Sequence, residues 1–202
     1  MSTLTKVVQT ELLPITLIAA GANFTGTAFD VSTKFSGTFL WDFAAVSTQA
    51  TPAQTEFAIQ ASQKSSGNDT WVNLFTWLSP TSVGVTQTVS AGGGVGASTI
   101  TLTPTLGSVN VYFFLLNGTP ANSEWSRRIG ISGGGPFVVT VEDPFTGNQS
   151  AAASWTPAER YKFDIDFSSI TRVRVCVNNN RSAAVNRAVY CRVALITADS
   201  IT

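Results

Sequence analysis

Short runs in which apolar and polar residues alternate, each closed by Gly, Pro, Asn or Ser, recur along the whole chain and constrain it to β-structure. Lys162 to Phe167 shows the pattern most clearly. Phe163, Ile165 and Phe167 share one face, and Lys162, Asp164 and Asp166 share the other. Strand side chains alternate with period two, so such a run buries one face and wets the other. The same reading places strands at 6–13, 15–19, 37–46, 55–62, 70–77, 83–89, 98–103, 109–116, 126–131, 136–142, 160–167, 171–178 and 187–197. Turns at Ser65-Ser66-Gly67-Asn68-Asp69, Ala91-Gly92-Gly93-Gly94 and Gly133-Gly134-Gly135-Pro136 separate them. One helical turn is expected at Thr156-Pro157-Ala158-Glu159, which offers an N-cap, a proline at the first helical position and a capping-box glutamate. No linker or tandem repeat interrupts the pattern. The expected fold is all-β: a single antiparallel β-sandwich or jelly-roll-like domain over 21–202, with a short N-terminal segment or edge strand over 1–20.

Composition narrows the function. The 202 residues include 12 basic and 12 acidic side chains and no histidine. That is 12% charged, against about 25% in an ordinary soluble domain, and Ser and Thr fill the difference. Thirteen Phe, five Trp and three Tyr exclude a disordered chain. Zero net charge lacks the basic excess of a general nucleic-acid binder. Without histidine the usual general base, the commonest metal ligand and every Ser-His or Cys-His arrangement are missing. No Cys/His spacing suggests zinc. The expectation is a non-enzyme with no metal and no cofactor.

Met1 to Lys6 lacks the charged start and long apolar core of a secretory signal. Leu12 to Ala22 contains Pro14 and is too short to span a bilayer. A chain that is neither secreted nor membrane-bound is expected, so the Asn-x-Ser/Thr sequons at Asn23, Asn68, Asn117 and Asn148 carry no functional weight. Cys176 and Cys191 are expected on the two strands of a closing hairpin. Cys176 alternates with Val173, Val175 and Val177, whereas Cys191 shares a face with Val189, Val193 and Leu195. Their side chains then point opposite ways, which excludes a disulfide on geometry and fits reducing conditions.

Several motifs invite a chemical reading. Asp164 and Asp166 lie about 7 Å apart on one strand face, and Glu142-Asp143 closes another strand. Either pair has the residue types of a glycosidase or calcium site, but with so few charges the bland role is to keep a strand face or turn soluble. Gly92-Gly93-Gly94-Val95-Gly96 lacks the Lys-Ser/Thr and the helix of a phosphate loop and reads as a hairpin tip. Trp71, Trp77, Trp125 and Trp155 offer rings for stacking on sugars. Core packing is the default for them, with the indole N–H on a backbone carbonyl.

Charge is uneven. Residues 1–126 hold 3 basic and 6 acidic side chains, and residues 127–202 hold 9 and 6. The closing hairpin carries Arg172, Arg174, Arg181, Arg187 and Arg192, with no acid between Asp166 and Asp199. Arginine is favoured at protein interfaces because its planar fork pairs with carboxylates while its stem packs. A second expected contact is the apolar N-terminal set Val7, Val8, Leu12 and Leu13.

Taken with the segment Met1–Ala20, the stretch Thr55 to Ser62 followed by Asp69-Thr70-Trp71, the run Phe113 to Leu116 leading into Asn122 to Trp125, and the closing strands Val173–Val177 and Val189–Thr197, the chain resembles bacteriophage auxiliary capsid proteins of the decoration or cement kind. The resemblance is one of sequence style across most of the chain and transfers no catalytic residue. It implies a virion structural protein, made in the host cytoplasm and placed on the capsid surface, that bridges coat subunits. Its partners would be the major capsid protein and further copies of itself, a trimer being favoured, with no nucleic acid and no membrane. The alternatives are a carbohydrate-binding or adhesin-like β-sandwich module, using exposed tryptophans, and a tail or neck component.

Overall fold

The computed structural model describes residues 4–8, 11–45, 54–67, 70–80, 87–102, 111–118, 122–134, 136–151, 153–181 and 188–201. The fold is all-β, built from antiparallel sheets. The chain divides into two compact units, one of residues 1–42, 49–81 and 160–202 and the other of residues 43–48 and 82–159. The sequence pattern suggests one domain because no crossing has a linker's composition. Of the four crossings, Asp42–Phe43 and Glu159–Arg160 lie inside strands, and 48–49 and 81–82 lie outside the described residues.

The first unit contains two sheets. One has the order β1 (Leu4–Val8), β16 (Val189–Ile201), β5 (Ser36–Ala45), β14 (Glu159–Asp166), with β2 (Leu13–Ile18) also on β16. The other has the order β3 (Asn23–Thr25), β15 (Arg172–Asn178), β6 (Glu56–Ser62), β7 (Val72–Leu78), with β4 (Phe29–Asp30) also on β15. They meet through aromatic rings. Trp41 of β5 lies 5.3 Å from Phe57 of β6 and 4.9 Å from Trp77 of β7. Phe163 of β14 lies 4.5 Å from Trp77 and 5.0 Å from Phe75. Aromatic side chains bury the most area per residue, so this contact dominates the packing of the layer. As the alternation requires, Ile165 and Phe167 are buried and Lys162, Asp164 and Asp166 are exposed.

The final strands do not form the expected hairpin. β15 pairs with β3, β4 and β6, and β16 pairs with β1 and β2, so they belong to different sheets. Asn179, fully buried after β15, donates its amide to the carbonyl of Ala19 (2.9 Å) and accepts from the Thr55 hydroxyl (2.8 Å). That clip satisfies the backbone where the chain leaves one sheet for the other. Both cysteines are free thiols, and burial pushes both up from the ordinary thiol range.

The second unit holds a closed six-stranded barrel in the order β10 (Tyr112–Leu116), β11 (Glu124–Ser132), β12 (Phe137–Val141), β9 (Thr99–Leu102), β8 (Gln87–Ala91), β13 (Ser154–Pro157). Closure leaves the barrel no free edge. Its interior is filled by side chains including Phe113, Leu115, Val139 and Trp155. The helical turn expected at 156–159 is strand instead. Thr156 and Pro157 pair with Phe114 and Phe113 of β10, and the proline sits at the last position of β13, where its missing N–H is tolerated.

Gly92 and Gly37 show how closely the layers approach. A Cβ on Gly92 would stand 1.5 Å from the carbonyl oxygen of Gln149, and one on Gly37 would stand 2.7 Å from the Phe167 ring and 2.8 Å from Leu195. Backbone cannot retreat as a flexible side chain can. Urea unfolding should therefore find Gly92→Ala destabilised by more than about 2 kcal/mol. Gly94→Ala, whose Cβ would meet only the Asn148 side chain at 3.6 Å, should stay within about 1 kcal/mol of the parent. Equal stabilities would contradict the close approach.

Candidate functional site

Burial of Val173, Val175 and Val177 turns Arg172, Arg174 and Cys176 of β15 to the outer face of their sheet. Cross-strand pairing then sets Arg174 beside Gln60 and Cys176 beside Ala58 and Thr25. Arg174 donates from Nε to Gln60 Oε1 at 2.7 Å, and Gln60 donates onward from Nε2 to Asn73 Oδ1 at 2.8 Å. The Trp71 ring, one residue before β7, receives the Arg174 guanidinium at 4.2 Å and that of Arg172 at 5.6 Å. Cation–π contact of this kind holds two arginines flat against the sheet while their charge stays at the surface. Arg172 also donates from Nε to the Lys64 carbonyl at 2.8 Å. Across the ladder from Arg172, Asp30 is held below the usual carboxylate range, first by its hydrogen bonds to Ser32 and then by the arginine charge. The surrounding side chains on this face are short or uncharged: Thr25, Ala58, Ser62, Asn73 and Thr76.

The remaining arginines of the C-terminal set lie apart from this face. Arg181 is exposed just after β15, and Arg187 lies outside the described residues. Arg192 on β16 is committed to Asp42, donating from Nε at 2.9 Å and from Nη2 at 2.5 Å to Oδ2. Arg160 on β14 grips the same carboxylate in bidentate fashion, at 2.6 and 3.0 Å. The Asp42 side chain is 2% exposed, against 41% for Arg160 and 26% for Arg192. Spacing along the chain could not reveal this ion triad, because its members come from three strands of one sheet and are distant in sequence.

Of the N-terminal set, Val7, Val8 and Leu13 lie in strands and Leu12 in the bend between them. Val7 and Val8 lie on β1 opposite Thr197 and Ile196. Leu12 is half-buried, and Leu13, 1% exposed, belongs to the core. Among the tryptophans, Trp155 is fully buried, Trp77 packs among Trp41, Phe57, Tyr161 and Phe163, and Trp125 stacks on Tyr112 and Phe114. The indole N–H groups of Trp77, Trp125 and Trp155 meet no hydrogen-bond acceptor among the described residues, contrary to the backbone partners expected. Ring packing replaces them: Trp41 and Trp77 cross edge to face at 85°. Trp71 remains as the surface ring, and Arg174 occupies one of its faces.

Three of the paired carboxylates, Asp164, Asp166 and Glu142, have local partners. Asp164 accepts from Thr38 Oγ1 (2.6 Å) and from Lys162 (3.0 Å), Asp166 caps Ser168, and Glu142 pairs with Arg127 at 2.7 Å. In the second unit Glu124 accepts from the Thr146 amide and hydroxyl and from Gln149, lining a polar pocket of about 480 Å³ with Asn117 and Asn148. A carboxylate accepting three hydrogen bonds from loop donors ties those loops together. Among the described residues no cluster of three or more Cys, Asp or Glu could hold a metal. No protein-family model, curated protein or solved structure matches this chain.

Removing Asp42 leaves two guanidiniums facing each other across β5. Asp42→Ala should lower the unfolding free energy by about 2–3 kcal/mol, the lower part of the range for a broken buried ion pair because both arginines stay partly hydrated. A chemical-denaturation series checks this, and an unchanged midpoint would show that the triad contributes nothing.

Proposed function

We propose that the chain is a virion structural protein that decorates an assembled capsid and stabilises it by bridging coat subunits as a homo-oligomer. The observation that carries this reading is the outer face of the β3-β15-β6-β7 sheet, where Arg172 and Arg174 lie over Trp71, with Asp30 across the ladder from Arg172, Glu56 at the Asn178 end and otherwise mostly short, uncharged side chains. Such a face orders at little cost in a contact, since Thr, Ser and Ala lose less rotamer freedom than Lys or Glu. Tryptophan and arginine are the residues most often dominant in interface energetics. The low total charge, 24 side chains in 202 (12 basic, 12 acidic), also fits a molecule surrounded by other protein. Binding only the assembled shell would shift the assembly equilibrium toward it by mass action.

The test is co-sedimentation with intact shells of the virus from which the chain derives. The parent chain should pellet with them, and the double variant Arg172→Glu/Arg174→Glu should lose at least tenfold in affinity while keeping its circular dichroism spectrum. A parent chain that stays in the supernatant would overturn the proposal. Full occupancy by the double variant would remove this face from it.

A further inference from the structure

The β7 edge stands out from the other strands around it. Among the described residues β7 is the last strand of its sheet, so one side of its backbone faces away from β6. Strand edges are ordinarily guarded by charge or proline. The edge strand of the opposing sheet, β14, carries Glu159, Arg160, Lys162, Asp164 and Asp166. β7 reads Val-Asn-Leu-Phe-Thr-Trp-Leu, with no charge and no proline. Its Val72 is 60% exposed and its Leu78 39%. Its one protective device is a register shift opposite Ile59 and Gln60, which leaves Phe75 to Leu78 in regular pairing.

Beside the start of β7 lies a groove of about 440 Å³ floored by Ala61, Val72, Leu74 and Ile170, with Lys64 on its rim. Arg172 reaches the Lys64 carbonyl, and Arg174 lies on Trp71, the residue immediately before β7. Lys64 thus lines the groove, whose Ala61 and Val72 share the face of buried Val173, while Arg172 and Arg174 lie at the same end of the sheet on its outer face. The described acids on this sheet's strands are Asp30, opposite Arg172, and Glu56, at the far end of the β6–β7 ladder. Strand addition needs an open edge, where backbone pairing gives affinity, and pockets for alternate side chains, which give specificity; the cations here add a preference for acidic side chains.

We infer that β7 accepts an extended segment of a partner protein as an added strand, with an apolar side chain of that segment in the Ala61–Val72–Leu74–Ile170 groove and a carboxylate of it on Lys64 and the neighbouring arginines. This rests on the proposed docking role and names the chemistry of the partner's contact: a short, extended, acidic and apolar peptide stretch. A second copy of this chain is the less favoured occupant. β7 itself carries no carboxylate to set against the cationic end.

The experiment uses the full chain and synthetic peptides. The probe is an acetylated, amidated octapeptide of alternating Val and Glu carrying a fluorophore. Its controls are the Val/Lys peptide and the Val/Glu peptide N-methylated at alternate residues. Fluorescence anisotropy should show saturable binding of the Val/Glu peptide, at least tenfold weaker binding of both controls, and at least fivefold weakening by Lys64→Glu and by Val72→Asp. Variant folding is checked by the thermal midpoint. Binding of the N-methylated peptide as tight as the parent peptide would overturn strand addition. No binding of the Val/Glu peptide, or equal binding of the Val/Lys peptide, would overturn the inference as a whole. Concentration-dependent dimerisation abolished by Val72→Asp would assign the edge to a second copy instead. Peptide binding without shell co-sedimentation would leave this site standing and reject the decoration reading, and the reverse result would do the opposite.

Discussion

A single carboxylate, Asp42, draws guanidiniums from the two flanking strands onto the central strand of its sheet, and the course of the chain is organised around it. Asp42 is the last residue of the first unit before 43–48 and Arg160 the first after 82–159, and their side chains pair at 2.6 Å. An ordinary surface ion pair would add little here, because solvent screening and side-chain entropy reduce it to a fraction of a kcal/mol. Here the acid is buried, one arginine binds it bidentately, and a second shares it. Leaving that carboxylate without partners would be costly, which ties three strands into one register.

On the inner face of the same strand, Trp41 anchors the aromatic contact with β6 and β7. The inner face thus fixes the separation of the sheets and the outer face fixes strand order. With both set, the second sheet turns the alternate residues of β15 outward, and Trp71 folds over them. The proposed docking face follows from these constraints: the valines that bury one side of β15 leave Arg172 and Arg174 on the other.

Much of this is legible in the sequence, and the limits have physical reasons. Period-two alternation locates β5, β6, β14 and β15 because each buries one face. It overlooks β3 and β4, which are too short to show a period, and reads β13 as a helical turn because Thr156, Pro157 and Glu159 carry a helix N-terminal signature that pairing with β10 overrides. Alternation cannot say which strands share a sheet. The five C-terminal arginines therefore read as one patch, although Arg192 serves Asp42 in one sheet while Arg172 and Arg174 project from the other. The opposed directions of Cys176 and Cys191 were inferred from a hairpin that does not form, yet separate sheets give the same outcome of two free thiols. Trp71 carried no local signal of its role, since its arginine partners lie about a hundred residues away.

Hydrogen–deuterium exchange of the chain, free and bound to the assembled shell, tests the central claim most directly. The account places new protection in 70–78 and 172–176, the uncharged edge and the arginine-bearing strand, with the barrel loops at 92–98 and 146–150 unchanged. Protection confined to those barrel loops, with β7 exchanging as fast bound as free, would contradict it.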